Sequence, residues 1–271
     1  MFISGGSRGI GLAIAVRAAR EGANVCLMAK TAEPDPRLPG TIYTAAEEIE
    51  HAGGQALPIV GDIRDDAAVE AAAAACAERF GGIDICVNNA SAINLSGTLE
   101  LPVKRYDLMQ QINSRGTFVV SRACLAYLKQ GSNPHLLTLS PPLNLDPKWL
   151  GSHPAYTLSK YGMSLLTRGF AEEFRGDGVA CNSLWPRTLI ATAAVANIAG
   201  GEAGMRGART PEIMGDAAHA IFCRPARECT GNFFIDDDVL REEGVTDFAE
   251  YRFAADASEA DLIPDLYVDS V

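Results

Sequence analysis

Seven residues near the start constrain the fold most: Gly5-Gly6-Ser7-Arg8-Gly9-Ile10-Gly11. They follow Phe2-Ile3-Ser4, which reads as a strand end, and precede residues 12–20, which carry helical periodicity. Strand, glycine turn and helix are the parts of a dinucleotide site. Glycines let backbone approach a pyrophosphate, and the helix start offers unpaired N–H groups. The spacing is G-x-x-x-G-x-G, not G-x-G-x-x-G, and an ordinary tight βα turn reads the same way. The strand before it is short for a central one, which leaves room for an upstream extension.

The rest of the chain repeats the alternation. Residues 25–29, 56–60, 83–87, 135–139, 179–184 and 232–235 read as strands; 44–53, 66–80, 104–128, 156–175 and 211–222 read as helices. With the first strand this makes about seven strands in one α/β domain. The expected fold is a doubly wound parallel sheet with helices on both faces. Residues 1–235 form the expected catalytic domain and 236–271 an acidic extension, packed on it or trailing from it as a solvated arm. Residues 31–40 hold three prolines and read as a rigid loop. Gly200-Gly201 and Gly204-Met205-Arg206-Gly207 mark a lid over substrate.

Tyr156 and Lys160 are four apart on one expected helix and share a face. A free phenol has a pKa of about 10, and a neighbouring ammonium is expected to lower it. The second strand ends at Ala29-Lys30, without the carboxylate that would accept the ribose hydroxyls of NAD. With Arg8 in the first turn, two cations favour NADP; a solvated loop lysine is the other reading of Lys30. Asp62-Ile63 is placed to border the adenine. Asn88-Asn89 at a strand end needs buried partners, and Asn113 is a poor residue for a helix interior. Trp149, Leu150 and Trp185 are candidates for an apolar pocket.

Composition excludes several classes. The balance of 23 basic against 34 acidic residues gives −11, which argues against a general nucleic-acid or anionic-membrane binder. The seven cysteines and four histidines are dispersed, so no metal is expected and the thiols read as reduced, in a cytoplasmic compartment. No apolar run reaches spanning length. The chain opens on Met-Phe-Ile-Ser, which leaves no room for a signal peptide.

Together, Ser4-Gly5-x-x-x-Gly9-Ile10-Gly11, Asn88-Asn89-Ala90, Asn113, Ser140, Tyr156-x-x-x-Lys160, Asn182 and Pro186 resemble a short-chain dehydrogenase/reductase over residues 2–236. The stretches 40–49, 140–145 and 230–236 are similar to the hydroxysteroid dehydrogenase-like protein 2 group, whose animal members carry a sterol-carrier domain. The resemblance implies that Tyr156 is the general acid/base and that Lys160 lowers its pKa and holds the nicotinamide ribose. Asn113 would position a relay water and Ser140 would bond the substrate oxygen. It also implies cofactor contacts from Gly5, Ser7, Arg8, Gly9, Ile10, Lys30, Thr31, Asp62, Ile63, Asn89, Ala90, Lys160, Pro186, Thr188 and Thr192. A homodimer or homotetramer through 104–128 and 156–175 is expected.

Three departures stand out. The family's strand-end serine falls on Pro141, with Ser140 one residue early. Arg187 and Asp237 each stand where the family commonly has glycine. The expected function is an NADP(H)-dependent oxidoreductase on a hydroxyl or carbonyl of an apolar small molecule. The competing readings are a non-catalytic NADPH sensor and a subunit that pairs with a separate lipid carrier.

Overall fold

The computed structural model describes residues 1–35, 40–199 and 201–269. Seven strands, β1 (Phe2–Ser4), β2 (Asn24–Ala29), β3 (Gln55–Val60), β4 (Ile85–Asn88), β5 (His135–Thr138), β6 (Ala180–Trp185) and β7 (Phe233–Ile235), form one sheet in the order β3-β2-β1-β4-β5-β6-β7. Every pairing is parallel. The order reverses between β1 and β4, which makes that crevice the switch point of a doubly wound sheet.

Strand side chains alternate between faces. Ile3, Leu27, Val87 and Leu137 pack on one side against α1 (Gly9–Arg20), α2 (Ile42–His51) and a later helix at Glu212–Cys223. Phe2, Cys26, Met28, Cys86 and Leu136 pack on the other, against α3 (Asp66–Phe80) and a helix at Gly116–Leu128. Burial of each such Leu, Ile or Phe side chain contributes roughly 1.5–3 kcal/mol. Five of the seven cysteines, Cys26, Cys76, Cys86, Cys124 and Cys181, lie buried in the second of these layers, and all seven are free thiols.

The helix expected over 104–128 is interrupted. It runs as α4 (Val103–Gln110), a π turn over Gln111–Arg115, then α5 (Gly116–Leu128). Asn113 is the cause we assign. Its side chain binds the backbone of Ala92 in both directions, 2.8 Å to N and 2.9 Å to O, and so ties the turn to the loop after β4 at the point where the helix widens.

Three short helices lie outside the sequence reading: α6 (Pro147–Ser152), α8 (Ala193–Ala199) and α10 (Asp236–Glu242); α7 (Pro154–Glu173) and α9 (Glu212–Cys223) complete the set. The proline loop and the lid are covered only in part, because 36–39 and 200 lie outside the described residues. Among the described residues no helix is long and apolar enough to cross a membrane.

Residues 236–269 lie against the domain. Tyr251, Leu262 and Tyr267 are buried. Asp237, fully buried, accepts from Arg187 at 2.6 Å, Arg209 at 3.1 Å and Arg241 at 3.0 Å. Arg209 reaches Glu259 at 3.1 Å, and Leu189 N donates to Ile263 O. The two glycine replacements noted in the sequence are therefore partners of one another.

Candidate active site

The carboxyl edge of the sheet opens on a cavity of about 780 Å³. Its first wall is the glycine turn. Gly5 and Gly9 have φ of +73° and +56°, conformations that a side chain would strain. A Cβ on Gly5 would come within 2.8 Å of Ala90 Cα, and one on Gly11 within 2.5 Å of Asn89 Nδ2. Arg8, the residue before α1, makes no side-chain cap, so the first N–H groups of α1 are left for an anion. Asn89 Nδ2 donates to Ser4 O (3.1 Å) and Gly5 O (2.8 Å), pinning β4 to the turn. Asn88 Nδ2 donates to Ser121. The cradle and the open helix start fit a dinucleotide pyrophosphate.

Gly5, Ser7, Arg8, Gly9 and Ile10 all line the cavity. So do Lys30, Thr31, Asp62 and Ile63 at one end, Asn89 and Ala90 at its middle, and Pro186 and Thr192 across from the turn. Lys30 is exposed, and its Nζ lies 3.2 Å from Asp62 Oδ2. Arg64 forks onto the same carboxylate and, with Lys30, holds it well below the usual range. The end of β2 thus has a carboxylate beside it after all, supplied by the loop after β3. Arg8 Nη2 donates to Gly40 O at 2.9 Å.

Tyr156 and Lys160 line the other end, both nearly inaccessible to solvent, at 4% and 3%. Lys160 Nζ donates to Leu139 O at 2.8 Å and sits 5.0 Å from the centre of the Trp185 ring. Burial pushes the Lys160 ammonium down to about 7, against the pull of Asp265. Burial also pushes the Tyr156 phenol well above its ordinary value, with Tyr267 and Asp265 adding to the effect. The expected lowering of the phenol is not seen, because desolvation outweighs the lysine.

Three residues expected at the site do not line the cavity. Asn113 is fully buried and donates to Ser159 Oγ at 2.9 Å. Its backbone carbonyl already accepts from Gly116 N, which leaves one lone pair for a water. Ser140 is fully buried, and its Oγ has no partner among the described residues. Thr188 is buried and its backbone bridges to Pro264. Trp185 lines the cavity, whereas Trp149 and Leu150 do not.

Residues the sequence reading missed are mostly apolar: Ile93, Leu95, Ile112, Leu189 and Val195. Two others, Asp265 and Leu266, come from the far end of the chain. The signal there was slight, a Leu266-Tyr267-Val268 run inside an acidic tail. Tyr267 packs on Tyr156, Trp149, Tyr161 and Trp185 and shares a hydrogen bond with Thr157 at 3.1 Å.

The family described as short chain dehydrogenase matches residues 1–202. Hydroxysteroid dehydrogenase-like protein 2 of Danio rerio is 55% identical over 99% of the chain, which spans 63% of that relative's length. A crystal structure from Xanthomonas campestris superposes with a TM-score of 0.94 at 55% identity, covering 99% of this chain and 97% of that one. The crystal structure of a short chain dehydrogenase from Mycobacterium thermoresistibile gives 0.93 at 59% identity, covering 100% and 95%. With the fold, the glycine turn and the Tyr156-Lys160 helix in place, the chain belongs to the short-chain dehydrogenase/reductase family.

Proposed function

We propose that the protein is an NADP(H)-dependent oxidoreductase acting on a hydroxyl or carbonyl of an apolar small molecule. One observation carries the reading. Tyr156 and Lys160 are buried together at one end of a cavity whose other end is an anion-ready glycine turn. A bound nicotinamide would supply the hydride chemistry. Tyr156 would give or take the proton on the substrate oxygen. Lys160 would hold the nicotinamide ribose and, once its charge is fixed there, bring the phenol down toward neutrality. Asn113, through its carbonyl, would hold a water beside Lys160.

The apolar lining supports an apolar substrate: Ile93, Leu95, Trp185, Leu189 and Leu266 surround the reacting end. Lys30 and Arg8 support NADP over NAD, through attraction for a 2′-phosphate. The buried Ser140 hydroxyl favours a second reading, a sensor that binds NADPH without turnover. Residues 1–235 would be the catalytic domain and 236–271 its extension. Exposed Phe118, Leu158 and Leu165 on α5 and α7 support a homodimer or homotetramer. Free thiols support a reducing, cytoplasm-like compartment.

The test is a fluorescence titration with NADPH and NADH, then a screen of aldehydes, ketones and alcohols of increasing chain length. Tighter NADPH binding and turnover abolished in Tyr156→Phe are expected. Tighter NADH binding would remove the cofactor assignment, and binding without turnover on every substrate would leave the sensor.

A further inference from the structure

We propose that Asp265, carried in by the C-terminal segment, is the counter-ion of Lys160 and so a positioning residue of the active site that acts through that lysine. Lys160 is almost wholly enclosed, and its contacts with the Leu139 carbonyl and the Trp185 ring neutralise no charge. An enclosed ammonium without an anion tends to lose its proton. Two carboxylates line the cavity among the described residues. Asp62, at the far end, is committed to Lys30 and Arg64. Asp265 lines the same cavity as Lys160 and Tyr156, beyond direct ion-pair contact with the lysine, so that the two charges would interact across the cavity.

The placement of Asp265 is built, not incidental. Its backbone N donates to Arg187 O at 2.9 Å, just beyond β6. The indole of Trp185, whose ring lies beside Lys160 Nζ, donates to Leu266 O at 2.9 Å. One aromatic residue therefore touches the cation and fixes the backbone next to the anion. Asp265 Oδ1 accepts its neighbour's N–H, from Leu266 at 2.6 Å. Beyond that, the Tyr267 hydroxyl meets Thr157 on α7, four residues after the position of His153 that opens that helix.

The charged and titratable groups facing this pair are few. Lys160 and Tyr156 come from α7, Asp236 from the start of α10, and Tyr267 from the segment itself. Asp236 and burial oppose ionisation of Asp265, while Lys160 favours it. Burial brings Lys160 down to about 7 and Asp265 up to about 7. The pair is thus balanced around neutrality, and the charge on Lys160 depends on a residue from outside the βαβ units.

The catalytic meaning rests on the function proposed above, but the pairing can be measured without cofactor or substrate. The chain has five lysines, Lys30, Lys104, Lys129, Lys148 and Lys160, so a spectrum of protein labelled with ¹³Cε-lysine is simple. The Lys160 signal is assigned by its loss in Lys160→Met, and then followed from pH 5 to 10 in the full chain. Asp265→Asn is expected to lower the Lys160 midpoint by about one pH unit, and Asp265→Glu to restore it. In the wild type, the Lys160 curve should show two steps, because a coupled pair titrates as a pair. An unmoved midpoint in Asp265→Asn overturns the proposal. Should that variant not fold, a single-step wild-type curve overturns it equally. Failure of NADPH to bind would sink the function but leave this result standing.

Discussion

At the β2 end of the cleft, Lys30, Arg64 and Asp62 meet where Lys30 keeps 60% of its side chain in solvent. At the other end, Lys160, Tyr156 and Asp265 line the same cavity beside Trp185, and the lysine keeps almost none. Charges of the first kind stay ionised: Arg64 and Lys30 hold the Asp62 carboxylate well below the usual range, while water screens the exposed lysine. Charges of the second kind shift toward their neutral forms instead. On the function proposed above, recognition of a 2′-phosphate would sit in the wet end, beside Lys30 and Asp62. The proposed proton transfer would sit in the dry end, where burial brings a lysine down to about 7.

Four outcomes would break or sharpen this contrast, from the largest expected effect down. Tyr156→Phe should reduce turnover by ~10³-fold with NADPH binding retained; steady-state rates on the best substrate from the screen check it, and a loss under tenfold would place the proton elsewhere. Asp237→Ala leaves Arg209, 1% exposed, and Arg187, 13% exposed, without their buried carboxylate. It should cost about 3–5 kcal/mol, read by denaturant unfolding, and loosen the segment that carries Asp265.

The third concerns pH. Burial raises Asp236 to about 7 from 3.8. Between those values the native state holds a proton that the unfolded chain releases. Its stability is therefore fully present below about pH 4 and lost as pH rises toward 7. Asp236→Asn should flatten that decline by about 2–4 kcal/mol. Unfolding midpoints at pH 4.5 and 7.5 provide the check, and an unchanged slope would show that the carboxyl is ionised throughout. Last, Lys30→Ala should weaken NADPH about tenfold, roughly 1.4 kcal/mol, and leave NADH unchanged. Equal losses for both would mean that Lys30 serves Asp62 alone.

The wet end was readable from the sequence because its parts are local. Gly5, Gly9 and Gly11 specify the turn by what they lack, and Lys30 follows its strand directly. The same holds for Tyr156 and Lys160, one helical turn apart. The dry end was not readable in full, because its roof comes from residues 265–268, and an acidic tail gives no periodicity to place them. Asp62 was misjudged in one respect: register with β2 brings it beside Lys30, a relation that strand pairing creates and spacing conceals. Ser140 shows the reverse limit. Sequence could name a serine near the strand end but not which way its hydroxyl faces. The pairing of Arg187 with Asp237 was also hidden, since each looked like a separate loss of glycine.

The order of the chain also sets an order of assembly. All seven strands are complete by Ile235, while the residues that roof the reacting end, Asp265 to Tyr267, emerge from the ribosome later. The sheet can close on its hydrophobic layers while the cleft is still open. The last stretch then threads across it and is clipped by Trp185, Arg187 and Thr157. A chain that stopped near residue 260 would therefore keep every strand and the glycine turn but lack Asp265, Leu266 and the Tyr267 ring that stacks on Tyr156.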